Sequence, residues 1–372
     1  MKRGMENDNN NNNNGTKKLK KPSVAFKGMR NNFTEAAAIQ HFEMTEKVEV
    51  ETSPCNSFQE VFEHVKMNKA SYGIVPIENS ASGTLHSVYD ELLNSELFII
   101  GECSRLEEHM LCALPGTKLN NVTQILSHPA MFMQCSEFIK TLDNNASSSS
   151  SDSSNTTSTT TTARRRVGRE SFWDTSAACS HLVSENLTNA AVICSKESAI
   201  KYKLDILEEG VGNDKNNETR YLLISKDEYT LPELNFDSRT RMKCSVAVAL
   251  RNETNALFKM VSCFGLRSIN IIKMESRPAT TASTTQFILN SPTSKNNINH
   301  STPQKKFTVK HWDYLFYVDF EPSWDLTKHA NLMASLKEFS LGVRNFGVYK
   351  QNLPDVLVVK SPWHGVGMLS TF

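Results

Sequence analysis

The chain has 372 residues, a length that favours two or three domains over one, and its net charge is +1. That balance argues against a protein that binds nucleic acid or a membrane surface, because both functions need an excess of basic residues. A membrane span is not expected either, since no segment approaches the roughly 18 consecutive apolar residues that one requires.

The N-terminal residues 1–21, MKRGMENDNNNNNNGTKKLKK, predict a disordered, Asn-rich tail. They have neither the apolar core of a secretory signal nor the Arg-rich amphipathic pattern of a transit peptide, so we expect a cytoplasmic protein. The 8 cysteines are scattered, with no C-x-x-C pair and no histidine at zinc-binding spacing. We therefore expect reduced, buried thiols and no metal site.

Residues 22–230 alternate between strand-like and helix-like segments. In chain order these are the strand SVAFKG, the helix FTEAAAIQHF with Thr34 as its cap, the helix SFQEVFEHVKMN, the strand YGIVPIE, the helix VYDELLNS, the strands LFIIGECSRL and VTQILSH, the helices MFMQCSEFIKTL and AACSHLVSENL, the strand AAVICS, the helix KESAIKYKL and the strand TRYLLIS. Such alternation predicts an α/β fold in which helices cover largely parallel sheets. Residues 143–166, rich in Ser and Thr, lack apolar periodicity and are predicted to be a low-complexity insertion.

A second pattern occupies residues 241–352, after a linker near residues 231–240. Its segments are the strand KCSVAVALRN, the helix NALFKMVSCFGLR, the strands SINIIKMESRP and WDYLFYVDFEP, the helix LTKHANLMASLKEFS and the strand VRNFGVYKQ. The order β-α-β-β-α-β predicts a ferredoxin-like module. Residues 279–306 interrupt it and are predicted to be a second low-complexity insertion.

Small polar residues follow the buried strand YGIVPIE in the segment VPIENSASGT. Ligands of open α/β sheets bind beyond the carboxyl ends of the strands, so Glu78, Asn79, Ser80 and Thr84 are candidate site residues. The alternative is an ordinary strand-to-helix turn in which the serines cap a helix.

The same arrangement recurs at two further places, and a third motif differs from it. SHPAMFMQC places Ser127 and His128 at a strand end and Gln134 near the end of the second helical turn, and the alternative for His128 is a core or capping histidine. WDTSAAC places Thr175 at the start of a helix, where capping is the alternative. NETRY opens a strand with Thr219 and Arg220, a hydroxyl beside a cation that could hold a carboxylate.

These motifs, in this order, resemble the prephenate dehydratase and arogenate dehydratase family. The family patterns V-P-I/V-E-N-S…G, S-H-P-Q-x-x-x-Q-C, D-T-x-x-A-A and N-x-T-R-F appear as VPIENSASG, SHPAMFMQC, DTSAACSH and NETRY. The C-terminal patterns E-S-R-P and Y-x-F-Y-V-D-F-E appear as MESRP and YLFYVDFE and are similar to the ACT regulatory domain of the family. The segment AFKGMRNNFTEAAA looks closer to the plant-type arogenate enzymes than to bacterial prephenate enzymes.

The resemblance implies a two-lobed, periplasmic-binding-protein-like catalytic domain, crossed twice by the chain, plus an ACT domain. The implied reaction expels a ring hydroxyl and a carboxylate as water and carbon dioxide and leaves an aromatic ring, without a cofactor. The family analogy gives the proton donor as Thr219, with Glu78 or His128 as physical rivals, because a Thr is a poor acid at neutral pH. Arg220 is expected to orient a carboxylate.

For the ACT-like half, the resemblance implies L-phenylalanine as an effector and a homodimer or homotetramer as the assembly. The implied effector contacts lie in one loop and one strand: Asn252, Asn255, Ala256, Leu257, Glu275, Ser276, Arg277 and Pro278. The alternative is a packing domain without a ligand.

Departures from the family motifs leave a second hypothesis open. Ala130 replaces the first Gln of S-H-P-Q, Tyr221 replaces the Phe of T-R-F, and Asn31 and Asn255 replace glycines. Asn tolerates the left-handed backbone, so we expect the turn at Asn31 to be kept. The alternative function is a catalytically inactive amino-acid sensor with the same domains. A third is a hydrolase that uses Cys135 or Cys179 with His128 or His181.

Overall fold

A computed structural model describes residues 21–43, 47–148, 166–228, 241–279, 287, 313–323 and 325–351. The predicted N-terminal tail up to residue 20, and most of both predicted insertions, lie outside these ranges.

The described helices and strands follow the predicted order. The strands are β1 (Ser23–Lys27), β2 (Glu51–Cys55), β3 (Tyr72–Asn79), β4 (Gly83–Thr84), β5 (Phe98–Leu106), β6 (Met110–Ala113), β7 (Gln124–Ser127), β8 (Gly168–Ser171), β9 (Ala190–Cys194), β10 (Asp205–Glu208), β11 (Glu218–Ser225), β12 (Met242–Leu250), β13 (Ile271–Pro278), β14 (Tyr314–Phe320) and β15 (Gly342–Lys350). The helices are α1 (Phe33–His41), α2 (Phe58–Lys66), α3 (His86–Asn94), α4 (Pro129–Gln134), α5 (Ser136–Ser148), α6 (Thr175–Ser184), α7 (Lys196–Tyr202), α8 (Ala256–Gly265) and α9 (Leu326–Phe339).

Residues 22–228 form two lobes, each built on one sheet. The first lobe has the strand order β2-β1-β3-β11-β5 and the second β10-β6-β9-β7-β8. The chain passes to the second lobe after β5 and returns at β11, so it crosses between the lobes twice, as predicted. This confirms the two-lobed α/β fold.

The prediction of largely parallel sheets is wrong for half of these pairings. β1 is parallel to β2 and β3, and β7 is parallel to β8 and β9. In contrast, β11 is antiparallel to β3 and β5, and β6 is antiparallel to β9 and β10. For β11 the reason is the double crossing. This strand re-enters the first lobe from the second and lies between β3 and β5, which run in the opposite direction.

Several predicted boundaries need correction. Asn32, not Thr34, caps α1, since its side chain accepts a hydrogen bond from the backbone of Glu35 at 2.9 Å. The helix predicted at MFMQCSEFIKTL is divided at Cys135, and its second part extends to Ser148, beyond the predicted start of the insertion. The short strands β2, β4, β6, β8 and β10 were not predicted because none has a long apolar or alternating pattern.

The C-terminal module has the predicted order, with the sheet β13-β14-β12-β15 and the helices α8 and α9. One face of this sheet packs against the two helices, around Val246, Phe264 and Leu336. The other face packs against the first lobe, where Tyr317 and Phe346 join the cluster that contains Ile99. Since both faces are covered, every residue of β12 is buried.

The sheet of the module continues into the sheet of the first lobe, because β15 lies beside β5. Gly347 makes this approach possible: its φ is +116°, and a Cβ there would come within 2.8 Å of the Ile99 carbonyl oxygen. Among the described residues, no helix is long and apolar enough to cross a membrane.

Candidate active site

A cavity of about 420 Å³ lies between the two lobes, a size within the roughly 300 to 1,000 Å³ of small-molecule sites. Its wall comes from the ends of β1, β3 and β11, from the loop after β5, and from the starts of helices α1, α4 and α6. The lining residues used below are Lys27, Asn32, Asn79, Ser82, Glu107, His128, Gln134, Trp173, Asp174, Thr175, Thr219 and Tyr221.

The first lobe contributes a fixed pair of polar side chains, Asn79 and Thr219. They face each other because β3 and β11 are paired in register at these positions. The Asn79 amide donates to Thr219 Oγ1 at 2.8 Å, and its carbonyl oxygen accepts from the backbone of Ala81 and Ser82 at 3.0 and 2.8 Å. Both side chains are over nine-tenths buried, so the hydroxyl is held in one position at the cavity wall.

Gln134 ties the second lobe to this pair. Its amide nitrogen donates to Ser82 Oγ at 2.7 Å and to the Asn79 carbonyl oxygen at 3.2 Å. Its own oxygen accepts from Nε2 of the buried His109 at 2.8 Å. Ser82 lies in the motif VPIENSASG but was considered only as a helix cap, and His109 was not predicted because it lies outside the motif strings.

His128 and Thr175 line the second-lobe side of the cavity at the starts of α4 and α6. Nδ1 of His128 accepts from the backbone of Ala130 at 3.2 Å, so this histidine does cap its helix. Burial and, to a lesser extent, the nearby Lys27 charge lower the pKa of His128. The ring is therefore neutral at physiological pH and is a weak candidate for the general acid.

Gly28 and Asn32 connect the lobes at the mouth of the cavity. The Asn32 amide donates to Asp174 in the second lobe at 2.9 Å, and a Cβ on Gly28 would collide with both side chains. Gly28 has φ +117°, and Asn31 in the same turn has φ +69°. The prediction that Asn31 keeps the left-handed turn is confirmed.

Two lining residues that sequence reasoning missed, Lys27 and Glu107, change the chemistry of the cavity. Lys27, at the end of β1, supplies a cation, and its ammonium lies 4.7 Å from the centre of the Phe58 ring. Glu107 follows β5 and accepts a hydrogen bond from the Tyr221 hydroxyl at 2.9 Å. Lys27 is the last residue of β1, so a search for polar residues at strand ends could have found it.

Three predicted binding residues are not among those that line the cavity. Ser80 accepts from the backbone of Glu218 at 2.9 Å and holds the ends of β3 and β11 together. Ser127 is fully buried and donates to the Ile193 carbonyl at 2.6 Å. Thr84 donates to Glu275 of the C-terminal module at 3.0 Å.

Glu78 and Arg220 lie on the opposite face of β3 and β11, contrary to the expectation that Glu78 belongs to the cleft wall. Nε of Arg220 is 2.8 Å from Glu78, and the guanidinium is also 3.1 Å from both Glu102 and Asp319. Lys273 of the module pairs with the other oxygen of Glu78. Burial opposes the charge on Arg220, but these carboxylates, with Asp319 foremost, raise its pKa.

One group of side chains outside the cavity could share a metal ion. Cys55, Glu60 and His64 have ligand atoms close together, with Cys55 Sγ 3.5 Å from His64 Nδ1. Burial raises the pKa of Cys55 to about 11, and metals bind the thiolate, so the arrangement is unfavourable for a metal. We assign it no role.

The described cysteines are all free and buried, as predicted. Burial raises the pKa of Cys135 to about 12. Cys179 is also fully buried, so neither thiol suits the nucleophile of a hydrolase.

Comparison with known proteins decides the family. The family model described as prephenate dehydratase matches residues 24–229. A plant relative named arogenate dehydratase/prephenate dehydratase 6, chloroplastic, from Arabidopsis thaliana, is 30% identical over 91% of this chain and 70% of its own length. The chain belongs to the prephenate dehydratase family. It is a prephenate/arogenate dehydratase, a carbon–oxygen lyase of phenylalanine biosynthesis, as the motifs predicted.

Solved structures confirm the fold over nearly the whole chain. A prephenate dehydratase from Arthrobacter aurescens, described in complex with L-Phe, has a TM-score of 0.66 at 23% identity and covers 88% of this chain and 89% of its own. A protein described as a quorum quenching acylase, GqqA, has a TM-score of 0.63 at 20% identity, with 89% and 98% covered. These likenesses concern the fold alone.

The two predicted effector segments of the C-terminal module flank the start of β14. Tyr314 pairs with Leu250 of β12 on one side and with Pro278 of β13 on the other, so the loop after β12 and the end of β13 reach the same end of the sheet. Asn255, in place of a glycine, has φ +65° and keeps the left-handed position before α8.

Two of the predicted effector residues also contact the first lobe. Glu275 accepts from Thr84 and is 3.0 Å from His86, and Arg277 is 3.1 Å from Asp90. Ser276 and Pro278 point the other way and are exposed. The strand β13 therefore carries one of the predicted effector segments and also contacts the first lobe.

Proposed function

We propose that dehydration and decarboxylation take place in the cavity between the lobes, with Thr219 as the hydrogen-bond donor to the departing hydroxyl. The observation that carries this proposal is the fixed Thr219 hydroxyl, held by Asn79 in a cavity that also contains the Lys27 ammonium. A dianionic cyclohexadiene needs a cation for a carboxylate and a donor for its leaving group, and the cavity offers both.

The step balances without an external oxidant or reductant. The proton of the Thr219 hydroxyl passes to the ring hydroxyl, the C–O bond breaks with its electron pair so that water leaves, and Thr219 Oγ1 takes up a replacement proton that derives from solvent water. The bond between the ring and its carboxylate breaks, its electrons complete the aromatic ring, and carbon dioxide leaves. Lys27 holds the side-chain carboxylate, a role that the sequence suggested for Arg220, while Asn79, Gln134, His128 and Thr175 orient the ring.

The chain is proposed to accept prephenate, arogenate or both, because the two substrates differ only at a side-chain keto or amino group. The test is a parallel assay of the purified chain on both substrates, with and without phenylalanine, following phenylpyruvate and phenylalanine. Formation of either product supports the proposal. If neither product forms, while phenylalanine still binds, the inactive-sensor hypothesis replaces it.

Residues 241–352 are proposed to act as an ACT-type regulatory domain that binds L-phenylalanine at the two effector segments. The contacts of Lys273, Glu275 and Arg277 with the first lobe provide a route by which ligand binding changes the openness of the cleft. Calorimetric titration with phenylalanine tests the binding. Assays with and without phenylalanine test the coupling, and Arg277→Ala is expected to weaken the response of catalysis to the ligand.

A homodimer through α8 is proposed as the assembly. Phe258 is 70% exposed and Leu266 85% exposed, with Leu257 and Val261 also exposed on the same helix. Such clustered apolar exposure marks an interaction surface. Light scattering of Phe258→Lys is expected to give a smaller particle than the wild type, and unchanged mass would exclude this surface.

The cytoplasmic location stays a prediction, since the plant relative above is named chloroplastic. Imaging of the chain with a fluorescent tag at its C-terminus decides between the two compartments.

A further inference from the structure

Glu107 is a buried carboxyl at the cavity wall for which the dehydratase motifs provide no role. Glu107 is 9% exposed, and its backbone N–H donates to the Asn217 carbonyl at 2.8 Å. Its side chain accepts from the Tyr221 hydroxyl at 2.9 Å and lines the same cavity as Thr219, whose hydroxyl acts on the pKa of Glu107 as a hydrogen-bond donor. Glu107 therefore lies beside the proposed proton donor.

The polarity of these hydrogen bonds determines which way a proton can move. The amide nitrogen of Asn79 can only donate hydrogen bonds, so it occupies one lone pair of Thr219 Oγ1. The Thr219 hydroxyl retains its own hydrogen, which it can donate to Glu107 or to a substrate. When a substrate hydroxyl takes that hydrogen, the second lone pair of Oγ1 is free to accept a proton from a protonated Glu107.

The surroundings make Glu107 harder to ionise than an exposed glutamate. Burial raises the pKa of this carboxyl, and the hydroxyls of Thr219 and Tyr221 and the Arg105 charge only partly offset that effect. Arg105 is itself engaged elsewhere, by Gln40 at 2.9 Å and by Glu197 at 2.5 Å. A Thr hydroxyl alone is a poor acid near neutral pH, whereas a buried carboxyl is suited to that task.

We infer that Glu107 is the proton source behind Thr219, an inference that rests on the proposed function of the cavity. The Glu107 carboxyl proton moves to Thr219 Oγ1 as the Thr219 proton moves to the ring hydroxyl. The C–O bond breaks, water leaves, and the electrons of the carboxylate bond enter the ring as carbon dioxide departs. Glu107, now a carboxylate, regains a proton from water after the product leaves. It acts through Thr219 and is thus a positioning and relay residue.

Tyr221, which replaces the Phe of the family motif, is part of this relay because its hydroxyl donates to the Glu107 carboxyl. Its O–H stabilises the charged form of Glu107, so its loss raises the pKa of Glu107 further. Tyr221→Phe therefore changes when the relay is protonated, without removing the carboxyl.

The experiment is a set of pH profiles of kcat and KM on both substrates, with the spontaneous rate subtracted. In the wild type, kcat is expected to fall as pH rises through the pKa of Glu107, because the proton is lost. Glu107→Gln should lower kcat by about 100-fold or more, leave KM within a few-fold and abolish that limb of the profile. Tyr221→Phe should move the limb to higher pH, and Glu107→Asp should recover part of the activity.

The neighbouring Glu108→Gln is the matched control, because Glu108 is exposed, and it should match the wild type. Unchanged kcat and an unchanged pH profile in Glu107→Gln would overturn the inference. It would also be overturned if the falling limb of the Tyr221→Phe profile stayed at the same pH as in the wild type. A rise in KM for arogenate alone would also overturn it, by showing that Glu107 binds the substrate ammonium. These outcomes require an active wild type, so they are distinct from failure of the proposed function, in which the wild type forms no product.

Discussion

Thr219 and Arg220 are neighbours in β11, yet their side chains lie on opposite faces of the sheet. Thr219 Oγ1 accepts from Asn79 at the cavity, whereas Arg220 is 3.1 Å from Asp319 of the C-terminal module. Consecutive residues of a strand alternate between faces, so this division follows from the backbone alone. A single strand thereby links the catalytic cavity to the module that is proposed to bind the effector.

Replacing Thr219 with alanine is expected to lower kcat by orders of magnitude on either substrate, because the donor to the leaving hydroxyl is lost. The fold should be kept, since the Asn79 amide still donates to Asn217, which it contacts at 2.7 Å. Thr219→Ser keeps the hydroxyl and should stay within about 10-fold of the wild type. Steady-state kinetics with a circular dichroism check measures both variants. A fully active Thr219→Ala enzyme would remove Thr219 from the mechanism.

Replacing Lys27 with methionine is expected to raise KM by roughly 10- to 100-fold with little change in kcat. The reason is that a charge-assisted hydrogen bond to a carboxylate contributes about 1.5–3 kcal/mol to binding. Met keeps the aliphatic stem that packs on Phe58 but removes the ammonium. Lys69→Met, on an exposed lysine, is the control and should behave as the wild type. If KM for both substrates is unchanged in Lys27→Met, another group holds the carboxylate.

Much of the site could be predicted because it lies where strands and helices begin or end. Asn79 and His128 were chosen at strand ends, Gln134 and Thr175 near helix starts and Thr219 at the opening of a strand, and all five line the cavity. The same criterion failed for their neighbours, since Glu78 and Arg220 also lie at strand ends but face the other way. The alternation of side chains along β3 and β11 was available in the sequence, and it excludes Glu78 from a face that holds Asn79.

The remainder needed the folded chain. Glu107 stands beside Glu108 in the segment LEEH, and nothing in the sequence tells which of the two is buried. The partners of Arg220 are separated from it by about a hundred residues or more, so no local pattern could pair them. The C-terminal module was predicted as a separate unit, but its sheet continues that of the first lobe through β15 and β5.

Buried histidines should make the protein less stable as pH falls below about 6.5. Burial lowers the pKa of His109 and of His128 in the folded chain. The unfolded chain therefore binds protons first, and stability that is present above pH 6.5 is lost as pH falls toward the lowered pKa values. Each such histidine changes the free energy of unfolding by at most about 1.4 kcal/mol per pH unit.

Urea unfolding at pH 7.5, 6.5 and 5.5 measures this slope. His109→Gln should flatten it, because Gln can still donate to Gln134 but does not titrate. The raised pKa of Glu107 changes the free energy of unfolding with pH in the opposite direction. The slope is therefore compared between the wild type and His109→Gln rather than read from the wild type alone. Equal slopes for the wild type and His109→Gln would contradict the assignment.

Asp319 is the residue whose change should uncouple the module from the cavity. It accepts from the Ser245 hydroxyl at 2.6 Å and pairs with Arg220, so it joins the module to the strand that carries Thr219. Asp319→Asn keeps the shape and removes the charge. Activity without phenylalanine is expected to stay within a few-fold of the wild type, because Asp319 is not among the residues that line the cavity.

The effect of phenylalanine on kcat/KM, by contrast, should shrink at least several-fold in Asp319→Asn. Linkage is reciprocal for binding, so a substrate analogue should also lose its effect on the affinity for phenylalanine, which calorimetric titration measures. Glu338→Gln, on the exposed side of α9, is the control and should keep the full response. If Asp319→Asn responds to phenylalanine as the wild type does, the ion pair with Arg220 stabilises the fold without transmitting the signal, and coupling would have to pass through β13 and its contacts with Thr84 and Asp90.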